Sequence, residues 1–184
     1  MITRLAEIIF GKTGGFKHSS TEIRIDTIDP SVWTAIVSGL IDPEDLWVDE
    51  AENGIESDPH ITVLYGLLTS DPEDVESVVS GFGPVRVKID KVSYFEPDGR
   101  GYDVVIGLID SADLCTLHNL IAENLEYKSD FEWYQPHITL AYVKKGLGKK
   151  YDGVDFEYLG LESETSTLYF SDTEGNKTQI QLED

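Results

Sequence analysis

Two segments of the chain are nearly the same: Pro59-His60-Ile61-Thr62-Val63 and Pro136-His137-Ile138-Thr139-Leu140. Each sets a histidine two residues before a threonine inside an apolar, β-prone run. Alternate residues of a strand share a face. Each segment therefore offers one imidazole and one hydroxyl side by side, with Ile61 and Val63, or Ile138 and Leu140, on the other face. Opening a phosphodiester needs a base for the attacking oxygen, an acid for the leaving oxygen, and donors for the phosphoryl charge. Histidine, with an ordinary pKa of about 6.5, can serve as either base or acid. Threonine hydroxyls supply donors. Two such pairs lining one cleft would fill every role. A zinc site is the competing reading, but no third and fourth ligand stand at recognisable spacing.

The elements that must position these pairs can be read around them. Thr21 to Ile28 alternates like a half-buried strand, with Ile23 and Ile25 against Glu22, Arg24 and Asp26. Asp29-Pro30 opens a helix carrying Val32, Trp33, Ile36, Val37 and Leu40. An acidic loop from Asp42 to Asp58 leads into the first motif. A second helix begins at Pro72, and Gly81 and Gly83-Pro84 end it. Val85 to Phe95 and Tyr102 to Ile109 read as strands joined by the Asp98-Gly99-Arg100-Gly101 turn. Ser111 caps a third helix containing His118, which reads as a boundary residue. The second motif follows, and then an all-β tail of Val154–Leu161, Thr165–Ser171 and Lys177–Leu182. The expected organisation is an N-terminal helix (Ile2–Phe10) and Gly-rich connector within residues 1–20, and one domain over 21–184. The connector, Gly11 to Gly15, lacks the spacing of a phosphate-binding loop. The fold class is α+β, with one curved, mostly antiparallel sheet, flanking helices and a partial internal repeat.

Composition narrows the function. The chain has 184 residues, 40% of them hydrophobic, and a net charge of -21 from 14 Lys and Arg against 35 Asp and Glu. So acidic a surface repels long nucleic acid, yet a small anion held in a pocket stays feasible. Cys115 stands alone, so neither a disulfide framework nor a cysteine zinc site is expected. No apolar run approaches the roughly 18 residues of a membrane span, and the start does not read as a signal peptide. A location in the cytoplasm is expected, without membrane partners; the oligomeric state is not legible.

The paired His-x-Thr motifs resemble the 2H phosphoesterase superfamily, which includes 2′-5′ RNA ligase-like proteins and cyclic phosphodiesterases. The likeness runs from about Ser19 onward and is sharpest in Asp58–Gly66, Tyr102–Val105 and Gln135–Val143. These segments look like the phage-associated branch, which includes enzymes that degrade the cyclic oligonucleotide signals of anti-phage defence (anti-CBASS nucleases). The resemblance implies a bilobal, pseudo-symmetric fold with a central cleft and no cofactor or metal. His60 and His137 would be acid and base, and Thr62 and Thr139 would hold the phosphate. If the chain is phage-encoded, it would work in the host cytoplasm.

A substrate follows from charge and aromatic content. A cyclic di- or trinucleotide carries few charges and can be enclosed, with base stacking on flat side chains contributing ~1–3 kcal/mol per base. Tyr94, Phe95, Trp133 and Tyr134 are the candidate stacking residues, and Lys17 is a candidate for local positive charge. Lys17 and His18 could fold over the site. Lys144 to Lys150, with Gly146 and Gly148, could form a mobile basic lip. The leading expectation is hydrolysis of cyclic oligonucleotides. The alternatives are a 2′,3′-cyclic phosphodiesterase or RNA ligase-like enzyme acting on RNA ends, and a non-catalytic nucleotide sponge.

Overall fold

The computed structural model describes residues 16–25, 27–48, 54–129 and 133–183. The expected N-terminal helix and the Gly11–Gly15 connector lie outside them. Among the described residues, eight strands form one antiparallel sheet, with three helices and a 3-10 turn. The strands are β1 (Ser19–Ile23), β2 (Ile61–Leu67), β3 (Val85–Phe95), β4 (Tyr102–Asp110), β5 (His137–Lys144), β6 (Glu162–Thr165), β7 (Thr167–Ser171) and β8 (Lys177–Gln181). The helices are α1 (Pro30–Leu40), α2 (Pro72–Val79) and α3 (Ala112–Asn124).

The helix boundaries follow from local chemistry. Asp29, Asp71 and Ser111 each accept backbone N–H bonds from the first turn of their helix, satisfying donors that have no partner inside the helix. Proline occupies the first position of α1 and α2, where no N–H is needed. Each helix turns an apolar stripe to the sheet: Trp33 and Val37, Val75 and Val79, and Leu114, Leu117 and Ile121 are buried. They meet Ile23, Ile61, Val63, Ile89, Val105, Ile138 and Leu140 in one core. Removing such a large side chain costs ~3–5 kcal/mol, which makes Trp33, fully buried and bonded through Nε1 to the Glu56 carbonyl, an anchor of α1.

The strand order is β6-β3-β4-β5-β2-β1-β7-β8. The motif strands β5 and β2 are therefore the two middle strands, and four strands lie on either side of the line between them. Among the described residues these two strands share one residue pair, Ile61 opposite Ile138. Beyond it they run apart. The exposed edge of β5 is bonded instead by the loop before β2: Glu56 N–H donates to Leu140 O, Tyr142 N–H to Gly54 O, and Trp47 N–H to Tyr142 O. The edge of β2 is bonded by Leu68 N–H to Glu126 O and by Lys128 N–H to Gly66 O. The acidic loop and the segment after α3 thus fill a wedge that would otherwise leave backbone groups unsatisfied.

Two expectations fail in this part of the chain. The first strand covers Ser19–Ile23 rather than extending to Ile28. Val154–Leu161 is not a strand; it is a series of turns, with Leu159 N–H on Phe156 O and Leu161 N–H on Tyr158 O. Its alternating apolar residues are used for packing, since Phe156 and Tyr158 sit against Trp33 at ring-centroid distances of 5.9 and 6.0 Å. The segment touches the edge of β3 only at isolated points, Gly160 N–H on Ile89 O and Ile89 N–H on Leu161 O, so its alternation does not make a strand.

Candidate active site

Antiparallel register builds the site from the Ile61/Ile138 pair. Both isoleucines are fully buried and face the core. Their neighbours therefore face the other way, and continuing the register sets His60 opposite Thr139 and Thr62 opposite His137. The four side chains form a square about a local twofold axis. In a regular antiparallel pair directly opposed residues lie ~4.5–5.5 Å apart and diagonal ones ~7–8 Å; these strands diverge to either side of the isoleucines. The two histidines take one diagonal and the two threonines the other. A phosphoryl group at the centre would have an imidazole on each side.

Both imidazoles are held in the same tautomer. His60 Nδ1 lies 2.8 Å from the Asp58 carbonyl, and His137 Nδ1 lies 2.8 Å from the Gln135 carbonyl. A carbonyl can only accept, so Nδ1 carries the proton and Nε2 is left to the cleft. The surroundings differ. His137 meets the edge of Phe95 at 5.0 Å and pairs across the strands with Leu108. Burial, opposed by the Gln135 carbonyl and helped by His60, lowers its pKa to about 4. His137 is therefore neutral near pH 7. His60 instead adjoins Asp58, whose carboxylate is bonded to Arg24 at 2.8 Å, while the Asp58 N–H donates to Glu56. Lys177 bridges Asp58 and Glu22.

The strands also share an irregularity. In the pairing of β1 with β2, Thr21 faces Leu64 and Glu22 faces Thr62, so Val63 is skipped. In the pairing of β4 with β5, Val105 faces Ala141 and Ile106 faces Thr139, so Leu140 is skipped. Both are β-bulges three residues after the histidine. A bulge reverses the face of every later residue, which brings Tyr65 and Tyr142, five residues after each histidine, onto the cleft side. Burial agrees: positions 62, 65, 137, 139 and 142 are half-buried, while Val63, Leu64, Leu140 and Ala141 are buried. The repeated tyrosine at an odd offset was the sequence signal for this, since an unbulged strand would turn it away from His and Thr.

The remaining candidates fall in different places. Phe95 lies on the cleft side against His137, in a second apolar cluster with Tyr102, Val104 and Ile106. Tyr94, its neighbour in β3, necessarily points the other way; a side chain at Gly148 would strike its ring and Asp103, which places it over the turn after β5 and away from the cleft. Trp133 is 54% exposed. Tyr134 is no open stacking surface. Its ring lies on His118 at 4.0 Å and 1°, and its hydroxyl donates to the Thr62 carbonyl at 2.9 Å. His118 Nδ1 donates to the Val63 carbonyl, and burial lowers its pKa. This stacked pair holds the two carbonyls at the bulge of β2. The Lys144–Lys150 segment is not a mobile lip. The buried Asp103 carboxylate accepts from Gly146 and Gly148 N–H and pairs with Lys145, while Lys150 pairs with Asp42 and Asp45. Lys17 is exposed beside His18, which meets Tyr65 at 6.1 Å. Among the described residues no three His, Cys, Asp or Glu side chains converge as a metal site, and no helix is long and apolar enough to cross a membrane.

Residues 51–147, which contain both motifs, match the model of the 2′-5′ RNA ligase superfamily. The chain belongs to that superfamily. Solved structures agree on the 2H phosphoesterase fold. The TT0787 protein of Thermus thermophilus superposes with a TM-score of 0.54 at 15% identity, covering 90% of this chain and 97% of that one. Escherichia coli LigT complexed with 3′-AMP gives 0.52 at 16%, covering 90% and 95%. Kluyveromyces marxianus Usb1 with uridine monophosphate gives 0.54 at 7%, covering 89% and 98%. No curated protein matches the chain in sequence. At such low identity the structural likeness establishes the fold alone, a curled antiparallel sheet with helices packed on it.

Proposed function

We propose that the chain is a phosphodiesterase in which His137 is the base, His60 the acid, and Thr62 and Thr139 hold the phosphoryl oxygens. The observation that carries this is the square of two histidines and two threonines about the Ile61/Ile138 pair. His137, kept neutral by burial, has a free electron pair at Nε2 and takes the proton of a ribose 2′-hydroxyl. The 2′-oxygen attacks the neighbouring phosphorus. His60, protonated at Nε2, gives its proton to the departing 5′-oxygen as the P–O bond breaks. The product is a 2′,3′-cyclic phosphate. In the second step the roles reverse: His60 takes a proton from water, the hydroxide opens the ring, and His137 returns its proton to the 2′-oxygen. These four side chains supply the proton transfers and the phosphoryl donors from the chain itself.

The substrate is a small nucleotide phosphodiester, with cyclic di- or trinucleotides first. A net charge of -21 opposes long RNA. Similar folds hold mononucleotides, 3′-AMP in LigT and uridine monophosphate in Usb1. An enzyme of this kind would serve a phage by removing the cyclic nucleotide alarm of its host. Incubation with a panel of cyclic di- and trinucleotides in EDTA, followed by chromatography, tests the reading. Linear products support it. Intact ligand released on denaturation would instead show a sponge, and cleavage confined to RNA ends would show an RNA-end enzyme.

A further inference from the structure

The two ends of the cleft differ in how their cations are neutralised. At the β5 end Lys144 bonds the Glu44 carbonyl, Lys145 pairs with Asp103 and Lys150 with Asp45, and the exposed Lys149 has no carboxylate partner among the described residues. In the wall beside His60, Arg24 and Lys177 are matched by Glu22 and Asp58. The far end of β2 is different. Lys128 is fixed there by its backbone: its N–H donates to Gly66 O, and its carbonyl lies so close to Gly66 that a Cβ at that position would come within 1.9 Å. Gly66, at φ +97°, accepts both demands. Lys17 and His18 approach from the start of β1, where His18 meets the Tyr65 ring and Ser20 pairs with Tyr65. Neither Lys17 nor Lys128 has a carboxylate partner among the described residues.

Among the described residues three basic side chains thus gather without a carboxylate partner, in a chain with a large excess of acids. Their mutual repulsion shows in His18, whose pKa is lowered by burial and then by Lys17 and Lys128. Beside them runs a row of hydroxyls on the cleft face of the sheet. Ser171 opposes Ser20, which opposes Tyr65. Ser171 is 8% exposed, and its buried Oγ has no partner among the described residues.

We propose that this end of the cleft is a second phosphate subsite, with Lys17, Lys128 and His18 set over the Ser20–Ser171 row. It rests on the phosphodiesterase reading, because the phosphate it would take belongs to the same ligand whose other phosphate lies in the His/Thr square. Tyr65 stands three positions beyond Thr62 on the same strand, so the two places lie along β2. The subsite therefore selects ligands with two phosphates over those with one.

Equilibrium binding to the His60→Ala protein tests this without turnover. The probes are cyclic diadenylate, with two phosphodiesters, and the linear dinucleoside ApA, with one. Adding Lys17→Gln and Lys128→Gln should weaken cyclic diadenylate at least tenfold and ApA less than threefold, and Lys128→Arg should keep most of the affinity. Equal loss for both ligands, no loss for either, or failure of cyclic diadenylate to bind His60→Ala at millimolar concentration would overturn the subsite. Both replaced lysines are exposed, and unchanged thermal melting confirms that the fold is intact. Turnover is a separate readout: wild-type protein that binds cyclic diadenylate in the subsite-dependent way but cleaves neither probe would overturn the phosphodiesterase reading and leave the subsite standing.

Discussion

Strands β2 and β5 carry the same letters, the same bulge and the same tautomer-fixing bond, yet they sit in opposite chemistry. Around β5 the cleft wall is Phe95, Ile106, Leu108 and Tyr142, apolar or aromatic. Around β2 it is Glu22, Arg24, Asp58 and Lys177, an ion-paired cluster with Tyr169 under Arg24. A duplicated motif thus meets two different environments. An apolar wall favours a neutral imidazole, which suits a base. The wall beside His60 is ion-paired instead. Two identical short segments can be told apart only by what packs against them.

The largest effects should come from the histidines. His60→Ala and His137→Ala should each lower kcat by about 10²–10⁴-fold, and the double variant should lose little more than either single one; kcat within tenfold of wild type for either would remove it from the chemistry. The threonines should follow. Thr62→Val or Thr139→Val should cost about 10- to 100-fold in kcat/KM, since a hydrogen bond to a charged group contributes ~1.5–3 kcal/mol. The two losses should agree within tenfold, and a larger disparity would break the twofold reading of the square.

Smaller effects sharpen the difference between the walls. Phe95→Leu should raise the pKa of His137 from about 4 toward its ordinary value, moving the acid limb of the pH–rate profile upward by the same amount. An unmoved limb would mean that Phe95 does not set the protonation of His137. The same pKa bears on stability. Between about 6.5 and about 4 the unfolded chain binds a proton that folded His137 does not, so stability falls as pH drops through that window and the loss is complete below it. His137→Gln should remove this part of the acid sensitivity, visible as a smaller fall in melting temperature from pH 7 to pH 4. Tyr134→Phe should have the least effect, about 1 kcal/mol of stability for one neutral hydrogen bond. It removes the bond to the Thr62 carbonyl and leaves the ring on His118.

Much of this was legible in the sequence because it is local. The caps at Asp29, Asp71 and Ser111 and the alternation of β3 and β4 depend on residues near one another. The His/Thr pairs are local too, and their repetition announced them. Other features were decided by distant partners. Tyr94 and Phe95 are adjacent letters with opposite fates, set by which face of β3 meets His137. Tyr134 looked like an exposed aromatic before a motif; only the fold brings His118 under it. The lysines after β5 looked like a basic lip because their acids, Asp103 and Asp45, come from other parts of the chain.

The single residue pair that joins the motif strands, Ile61 with Ile138, works as a fulcrum. Any rotation of one half of the sheet against the other turns about the point where the reacting groups stand. Near that point displacement is smallest, so the histidines and threonines keep their mutual spacing, while Tyr65 and Tyr142 at the two ends travel farthest. On the proposed function, the cleft could then widen at its ends while the His/Thr spacing at its middle is kept.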